Sequence, residues 1–121
     1  MKILVTGVNG LVGNSIIKIL SKSEHEVFKS SRRIEGLADH KVDITLEDDL
    51  ELFFAKFNPD VVINSAAMAN VDLCEKEKKS CDDVNINGVR NLVDVCLKYN
   101  CHLTHISTDY IFDGQKKSGI Y

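Results

Sequence analysis

The sequence predicts an α/β domain in which a doubly wound parallel sheet of about five strands carries helices on both faces. Three features predict it. Short β-branched apolar runs alternate with longer stretches of helical periodicity, the order that builds strand–helix–strand units with right-handed crossovers. The runs ILV at 3–5 and VVI at 61–63 are continuously apolar, as strands covered on both faces are. The first run then passes straight through a glycine-rich turn into the first helical stretch. With 121 residues, 44% hydrophobic and 27% charged, the chain is one domain long and ordinary in composition.

Each element follows from local pattern. Lys2 to Thr6 is too short and too β-branched for a helix and reads as a buried strand. Leu11, Val12, Ile16, Ile17 and Leu20 recur at helical spacing, so a helix spans 11–20. A weaker strand is expected from His25 to Lys29 and a short third one from Lys41 to Ile44. Thr45 with Asp48 resembles a capping pair opening a helix through Leu50, Phe53, Phe54 and Phe57. Asn58-Pro59 ends it, because the residue before proline is pushed out of the helical region. After the VVI strand comes a Lys- and Glu-rich stretch whose EKEKK run, Glu75 to Lys79, reads as a solvated face. A helix follows from Asp82 to Tyr99, and a last strand from His102 to Ser107.

Composition excludes several functions. Eighteen acidic residues against fifteen Lys and Arg give a net charge of −3, without the basic field that nucleic-acid binding needs. No apolar run approaches the roughly 20 residues that cross a bilayer, and MKILVTG does not read as a signal peptide. Cys74, Cys81, Cys96 and Cys101 form no C-x-x-C pair and fall in regular segments, so reduced, structural thiols are expected, with neither a disulfide nor zinc. That in turn places the chain in the cytoplasm. His25, His40 and His102 have no ligand spacing, no metal site is expected, and His105 reads as a core histidine.

The turn TGVNGLVG places Gly7, Gly10 and Gly13 three apart between a strand and a helix. Glycines there let the backbone approach a pyrophosphate, which the free N–H groups and positive end of the helix bind. A ligand-free glycine turn is the alternative. No Lys-Ser or Lys-Thr follows the glycines, which excludes an NTPase phosphate loop. The architecture is thus Rossmann-like. About 20 residues on, where an NAD site carries Asp or Glu, the chain has Ser31, Arg32 and Arg33. A guanidinium binds a 2′-phosphate by charge-assisted hydrogen bonds, so NADP(H) is the expected cofactor, against the alternative of a solvated basic turn.

TGVNGLVG, VINSAAMANVD at 62–72, VNINGVRNL at 84–92 and HISTDYIFDG at 105–114 together resemble the dTDP-4-dehydrorhamnose reductases, which are extended short-chain dehydrogenases. The resemblance covers all 121 residues and implies the N-terminal part of an NAD(P)-binding Rossmann domain, truncated before its substrate lobe. It implies that Gly10, Leu11 and Val12 line the pyrophosphate, that Asp43 and Ile44 contact adenine, and that Ala67, Met68 and Ala69 border ribose and nicotinamide. It gives Asn85 the task of holding a water or a backbone kink near the site. Thr108 would hydrogen-bond the substrate's keto oxygen as the catalytic hydroxyl, and Asp109 would contact substrate. Both residues also suit the plainer role of satisfying strand-end backbone groups. Met68, and Lys79-Ser80 in place of a proline, depart from the family pattern.

In that family the nicotinamide delivers hydride to the C4 keto carbon of dTDP-4-dehydro-L-rhamnose and a Tyr-x-x-x-Lys tyrosine protonates the oxygen, giving dTDP-L-rhamnose. Four places after Tyr99 and Tyr110 stand Leu103 and Gly114, and Tyr121 is the last residue given. The 121 residues alone are therefore expected to be inactive, since loss of a general acid removes about 10²- to 10⁴-fold in rate. An uncovered last strand would favour a homodimer. Two rivals stand beside this reading: a non-catalytic NADP-binding regulatory subunit, since the region also resembles the beta subunit of methionine adenosyltransferase, and an epimerase or dehydratase of another nucleotide sugar, against which STDYIFDG at 107–114 argues.

Overall fold

The computed structural model describes residues 1–67 and 71–106. Five parallel strands form one sheet in the order β3-β2-β1-β4-β5. They are β1 (Lys2–Thr6), β2 (Glu26–Ser31), β3 (His40–Lys41), β4 (Val61–Asn64) and β5 (His102–His105). The helices are α1 (Leu11–Leu20), α2 (Glu47–Phe57), α3 (Val71–Lys76), α4 (Lys78–Asp82) and α5 (Val89–Lys98), with a π-helical stretch, Asp83–Gly88, joining the last two. The α/β expectation holds, strand for strand.

Alternation along β1 sends its side chains to two cores. Leu4 joins Phe28, Val62, Phe54, Leu50, Leu92 and Val95 under α2 and α5. Ile3 and Val5 join Val8, Ile17 and Ala38 under α1. Both faces are therefore buried, which is why this strand contains no exposed polar position between Ile3 and Thr6. At about 25 cal/mol per Å² of apolar area, burial of a single large side chain such as Phe54 or Leu4 stabilises the fold by about 1.5–3 kcal/mol.

Element ends depart from the sequence expectations for identifiable reasons. Strand β2 runs on to Ser31 because the polar Ser30 has buried partners: its hydroxyl donates to Val5 O at 3.1 Å, and its carbonyl accepts Val8 N–H at 3.2 Å. Strand β3 is only His40–Lys41, although Val42 and Ile44 are buried as a strand there would require. Beyond it, hydrogen bonding turns local. Asp49 accepts the Asp43 N–H at 3.0 Å, while Asp43 accepts both the N–H and the hydroxyl of Thr45, at 3.0 and 2.7 Å. The same bonds undo the expected Thr45–Asp48 capping pair, and α2 starts at Glu47 without a side-chain cap. Its first turn carries Glu47, Asp48 and Asp49, which complement the positive helix end. Asn58 does end the helix, in a left-handed conformation with φ 47°.

The helix expected over 82–99 is interrupted at its start by the π-helical stretch, and β5 stops at His105 rather than Ser107 within the described residues. His105 is exposed, not a core residue, and its Nδ1 receives the Asn64 amide at 3.1 Å.

The cysteine expectation fails at one pair. Cys74 and Cys81 form a disulfide with their Cα atoms 5.2 Å apart. Seven residues along one continuous helix would separate them by about 10 Å, given a rise of about 1.5 Å per residue. Here the helix breaks at Glu77 (φ −118°, ψ 59°), which turns α4 back against α3 and brings the sulfurs together. Cys96 and Cys101 are free thiols, as expected. The placement in the cytoplasm thus loses the premise it rested on.

Candidate functional site

Strand β1 pairs with β2 on one side and β4 on the other, so the chain leaves its carboxyl end toward opposite flanks of the sheet. A crevice opens at such a switch point. Here it is a cleft of about 540 Å³. Gly7 and Gly10 form its floor, Ser31 and Arg32 one end, Val42, Asp43 and Ile44 a side, and Ser65, Ala66 and Ala67, the segment that follows β4, another; Leu73, Glu77, Ser80 and Val84 line it from α3, the break before α4, α4 and the π-helical stretch.

The glycine turn is built by steric exclusion. Gly7 has φ +65°, and a Cβ there would sit 2.7 Å from the backbone nitrogen of Ala66. A Cβ at Gly13 would overlap the carbonyl oxygen of Gly7. At Gly10, by contrast, the nearest atom to a Cβ would be that same oxygen at 3.5 Å, an ordinary contact. Two glycines therefore hold the turn against β4 and α1, and the third keeps the cleft floor bare. Among the described residues no side chain caps the first turn of α1, and that turn carries no acidic residue. Uncapped N–H groups and the positive helix end are what a pyrophosphate requires. Ser65 anchors the opposite wall, its hydroxyl donating to Thr6 O at 2.6 Å.

Arg32 borders the cleft and Arg33 does not. Ser31 organises this corner: its hydroxyl donates to the Arg33 carbonyl and receives the Arg33 N–H at 3.3 Å. Leu11 and Val12 are exposed at the start of α1, Gly13 is buried beneath the turn, and none of the three lines the cleft, so it is backbone groups of this turn that suit phosphate. Asp43, Ile44 and Ala67 line the cleft. Asn85 lies in the π-helical stretch outside the lining, its amide donating to Cys81 Sγ at 3.1 Å. Met68, Ala69, Thr108 and Asp109 fall outside the described residues.

Several contributors have no signature in the sequence pattern. Glu77 belongs to the run read as a solvated face, yet it borders the cleft. Gly88 has no turn to make, but a Cβ on it would stand 2.7 Å from the end of the Ile44 side chain, so its bareness lets Ile44 lie against the helix. Asn9 sits inside the glycine turn and ties it to the loop after β2. A second depression, about 160 Å³ between α2 and α5, is lined by Glu47, Glu51, Asp94 and Lys98. It lies away from the glycine turn and its carboxylates would repel phosphate.

Sheet order, two covered faces and a glycine-floored cleft at the switch point define a Rossmann-like domain. More narrowly, the chain belongs to the family described as RmlD substrate binding domain, which matches residues 1–121. It is 37% identical over 121 residues to a dTDP-4-dehydrorhamnose reductase of Aggregatibacter actinomycetemcomitans, covering 99% of this chain and 38% of that protein. The crystal structure of a dTDP-4-dehydrorhamnose reductase from Clostridium acetobutylicum superposes with a TM-score of 0.87 at 37% identity, over 97% of this chain and 39% of that one. The Bacillus anthracis dTDP-4-dehydrorhamnose reductase, crystallised in complex with NADP, gives a TM-score of 0.85 at 27% identity, over 98% and 40%. The chain thus spans well under half the length of these relatives. Among the described residues no helix is long and apolar enough to cross a membrane.

Proposed function

We propose that these residues form the NADP(H)-holding part of a dTDP-4-dehydrorhamnose reductase. The observation that carries the reading is the cleft itself: a bare glycine floor and an uncapped helix N-terminus at one place, and Arg32 at the end where an adenosine 2′-phosphate would lie. The residues fit the group because Gly7 and Gly13 exclude a Cβ where backbone must come close. In such a reductase the bound nicotinamide supplies hydride to the C4 carbon of a dTDP-linked 4-keto sugar. Gly10 and the first N–H groups of α1 hold the pyrophosphate, Arg32 grips the 2′-phosphate, Asp43 and Ile44 flank adenine, and Ala67 gives the nicotinamide end a small neighbour. Thr108 is assigned the hydrogen bond to the keto oxygen, and Asp109 a substrate contact.

No Tyr-x-x-x-Lys occurs in the 121 residues, so this polypeptide by itself is expected to bind the dinucleotide without turning substrate over. A nucleotide-sugar substrate and a cytoplasmic setting, where such sugars and reduced dinucleotides are held, belong to the same reading; so does self-association along β5, an edge strand of the described sheet.

Fluorescence titration with NADPH and NADH tests it. A charge-assisted hydrogen bond is worth about 1.5–3 kcal/mol, so Arg32→Ala should weaken NADPH by about 10- to 100-fold and leave NADH unchanged. Equal affinity of the unsubstituted chain for the two coenzymes would overturn the reading.

A further inference from the structure

Arg32 sits at the start of an exposed loop, residues 32–37, between β2 and the buried Ala38. Such a loop wanders unless something ties it. The tie comes from across the cleft floor. Asn9, in the middle of the glycine turn, donates from Nδ2 to the Glu35 carbonyl at 3.0 Å and to Ser31 Oγ at 3.4 Å, and its Oδ1 accepts the Leu37 N–H at 2.9 Å. One carboxamide thus spends its donor and its acceptor on backbone groups two residues apart, a match that neither a carboxylate nor an apolar side chain reproduces. Gly36 lies between those two groups with φ +56°, and a Cβ there would overlap Asn9 Oδ1. The loop is shaped to receive this side chain.

We propose that Asn9 is a positioning residue for coenzyme choice: it fastens the loop carrying Arg32 to the glycine turn and so fixes the distance between the pyrophosphate floor and the 2′-phosphate grip. This rests on the NADP(H) reading above. Its effect is selective. The glycine turn closes on its own through Gly10 N–H to Gly7 O at 3.1 Å, without the Asn9 side chain. Releasing the loop therefore leaves the pyrophosphate floor intact and loosens only the corner that distinguishes NADPH from NADH, so that ordering the loop must then be offset by binding itself.

The test is a titration of the 121-residue chain with NADPH and with NADH, for the unsubstituted protein, Asn9→Ala, Asn9→Asp and Arg32→Ala, with thermal melts to establish folding. Asn9→Asp keeps the acceptor for Leu37 and loses both donations. Both Asn9 variants should weaken NADPH by about tenfold while NADH stays within about twofold, the loss of one or two neutral hydrogen bonds. If the two affinities fall together, or neither moves, in whichever Asn9 variant folds, Asn9 does not set the preference and the proposal fails. Should the unsubstituted chain show no preference for NADPH, or Arg32→Ala leave it unchanged, the coenzyme reading fails and takes this inference with it.

Discussion

The hydroxyl of Thr6 donates to Asn64 Oδ1 at 2.5 Å across the buried seam between β1 and β4. The same oxygen accepts the Ala66 N–H at 3.2 Å, so one amide terminates both strands and shapes the β4 wall of the cleft. Asn64→Leu strands a hydroxyl and an N–H without their acceptor and should cost about 1–3 kcal/mol in urea unfolding. Thr6→Val should cost less, because Asn64 keeps its other partner, and the double variant should cost less than the sum. Full stability in Asn64→Leu would contradict this account of the seam.

The three turn glycines should separate under alanine substitution. Gly7→Ala forces a side chain into a left-handed conformation and onto β4, costing about 1–3 kcal/mol from the backbone alone. Gly13→Ala overlaps fixed backbone and should lose a similar amount. Gly10→Ala has room and should stay within about 0.5 kcal/mol of the parent while dinucleotide affinity drops, since its methyl would stand on the cleft floor. Melting curves paired with titration read both quantities; a Gly10→Ala chain that unfolds, or binds normally, contradicts the assignment.

Glu51 joins α2 to α5, receiving Lys98 Nζ at 2.7 Å and the Tyr99 hydroxyl at 2.5 Å. Hydrogen bonds from Lys98 and then Tyr99 hold its carboxyl below the ordinary value of 4.5, and the same contacts raise Lys98 and Tyr99 above theirs. A lowered carboxylate contributes stability above its unfolded value that is lost as pH falls through the folded one. The raised Lys98 and Tyr99 contribute stability that is present below their unfolded values, 10.5 and 10.0, and lost as pH rises toward the folded ones. Melting temperature should therefore sag below pH 4.5 and above pH 10, and Glu51→Gln should flatten the part of both flanks that this cluster supplies. Identical profiles for the two chains would show that the cluster contributes nothing measurable.

Thiol titration of the chain unfolded without reductant should find two reactive groups, Cys96 and Cys101, and four after reduction. Reduction, or Cys74→Ser with Cys81→Ser, should loosen α3 against α4 and speed amide exchange at Leu73, Glu77 and Ser80, the cleft wall these helices provide. Four thiols before reduction would remove the cross-link.

What the sequence announces and what it conceals divide along the range of the interactions. Strands β1 and β4 and helices α1 and α5 are visible in ILV, VVI and the helical apolar rows because each is fixed mainly by its own burial pattern. Strand β3 is not: past the Val42 N–H bond to Ser31 O, the Arg33 N–H and carbonyl turn back to the Ser31 hydroxyl while Asp43, Thr45 and Asp49 bond among themselves, and nothing in composition says which partner wins. The disulfide hides for a related reason: a spacing of seven looks like two positions on one helix until the chain breaks at Glu77. In the cleft, the glycines and Arg32 stand out by local spacing. Asn9 finds Glu35 and Leu37 at sequence separations of 26 and 28, and Gly88 meets Ile44 at a separation of 44, distances that periodicity does not see.

The placement of β1 between β2 and β4 has a consequence for how the molecule is born. Thr6 must wait for Asn64, 58 residues later, before its side of the ladder can close. At a synthesis rate of about 5–20 residues per second that is a delay of roughly 3–12 seconds, and for the part of it after β2 is made the ILV segment is paired on one side and still lacks its β4 flank. A ribosome-bound intermediate would leave this apolar strand with one open edge for that interval, so chaperone engagement should fade once the VVI segment clears the exit tunnel.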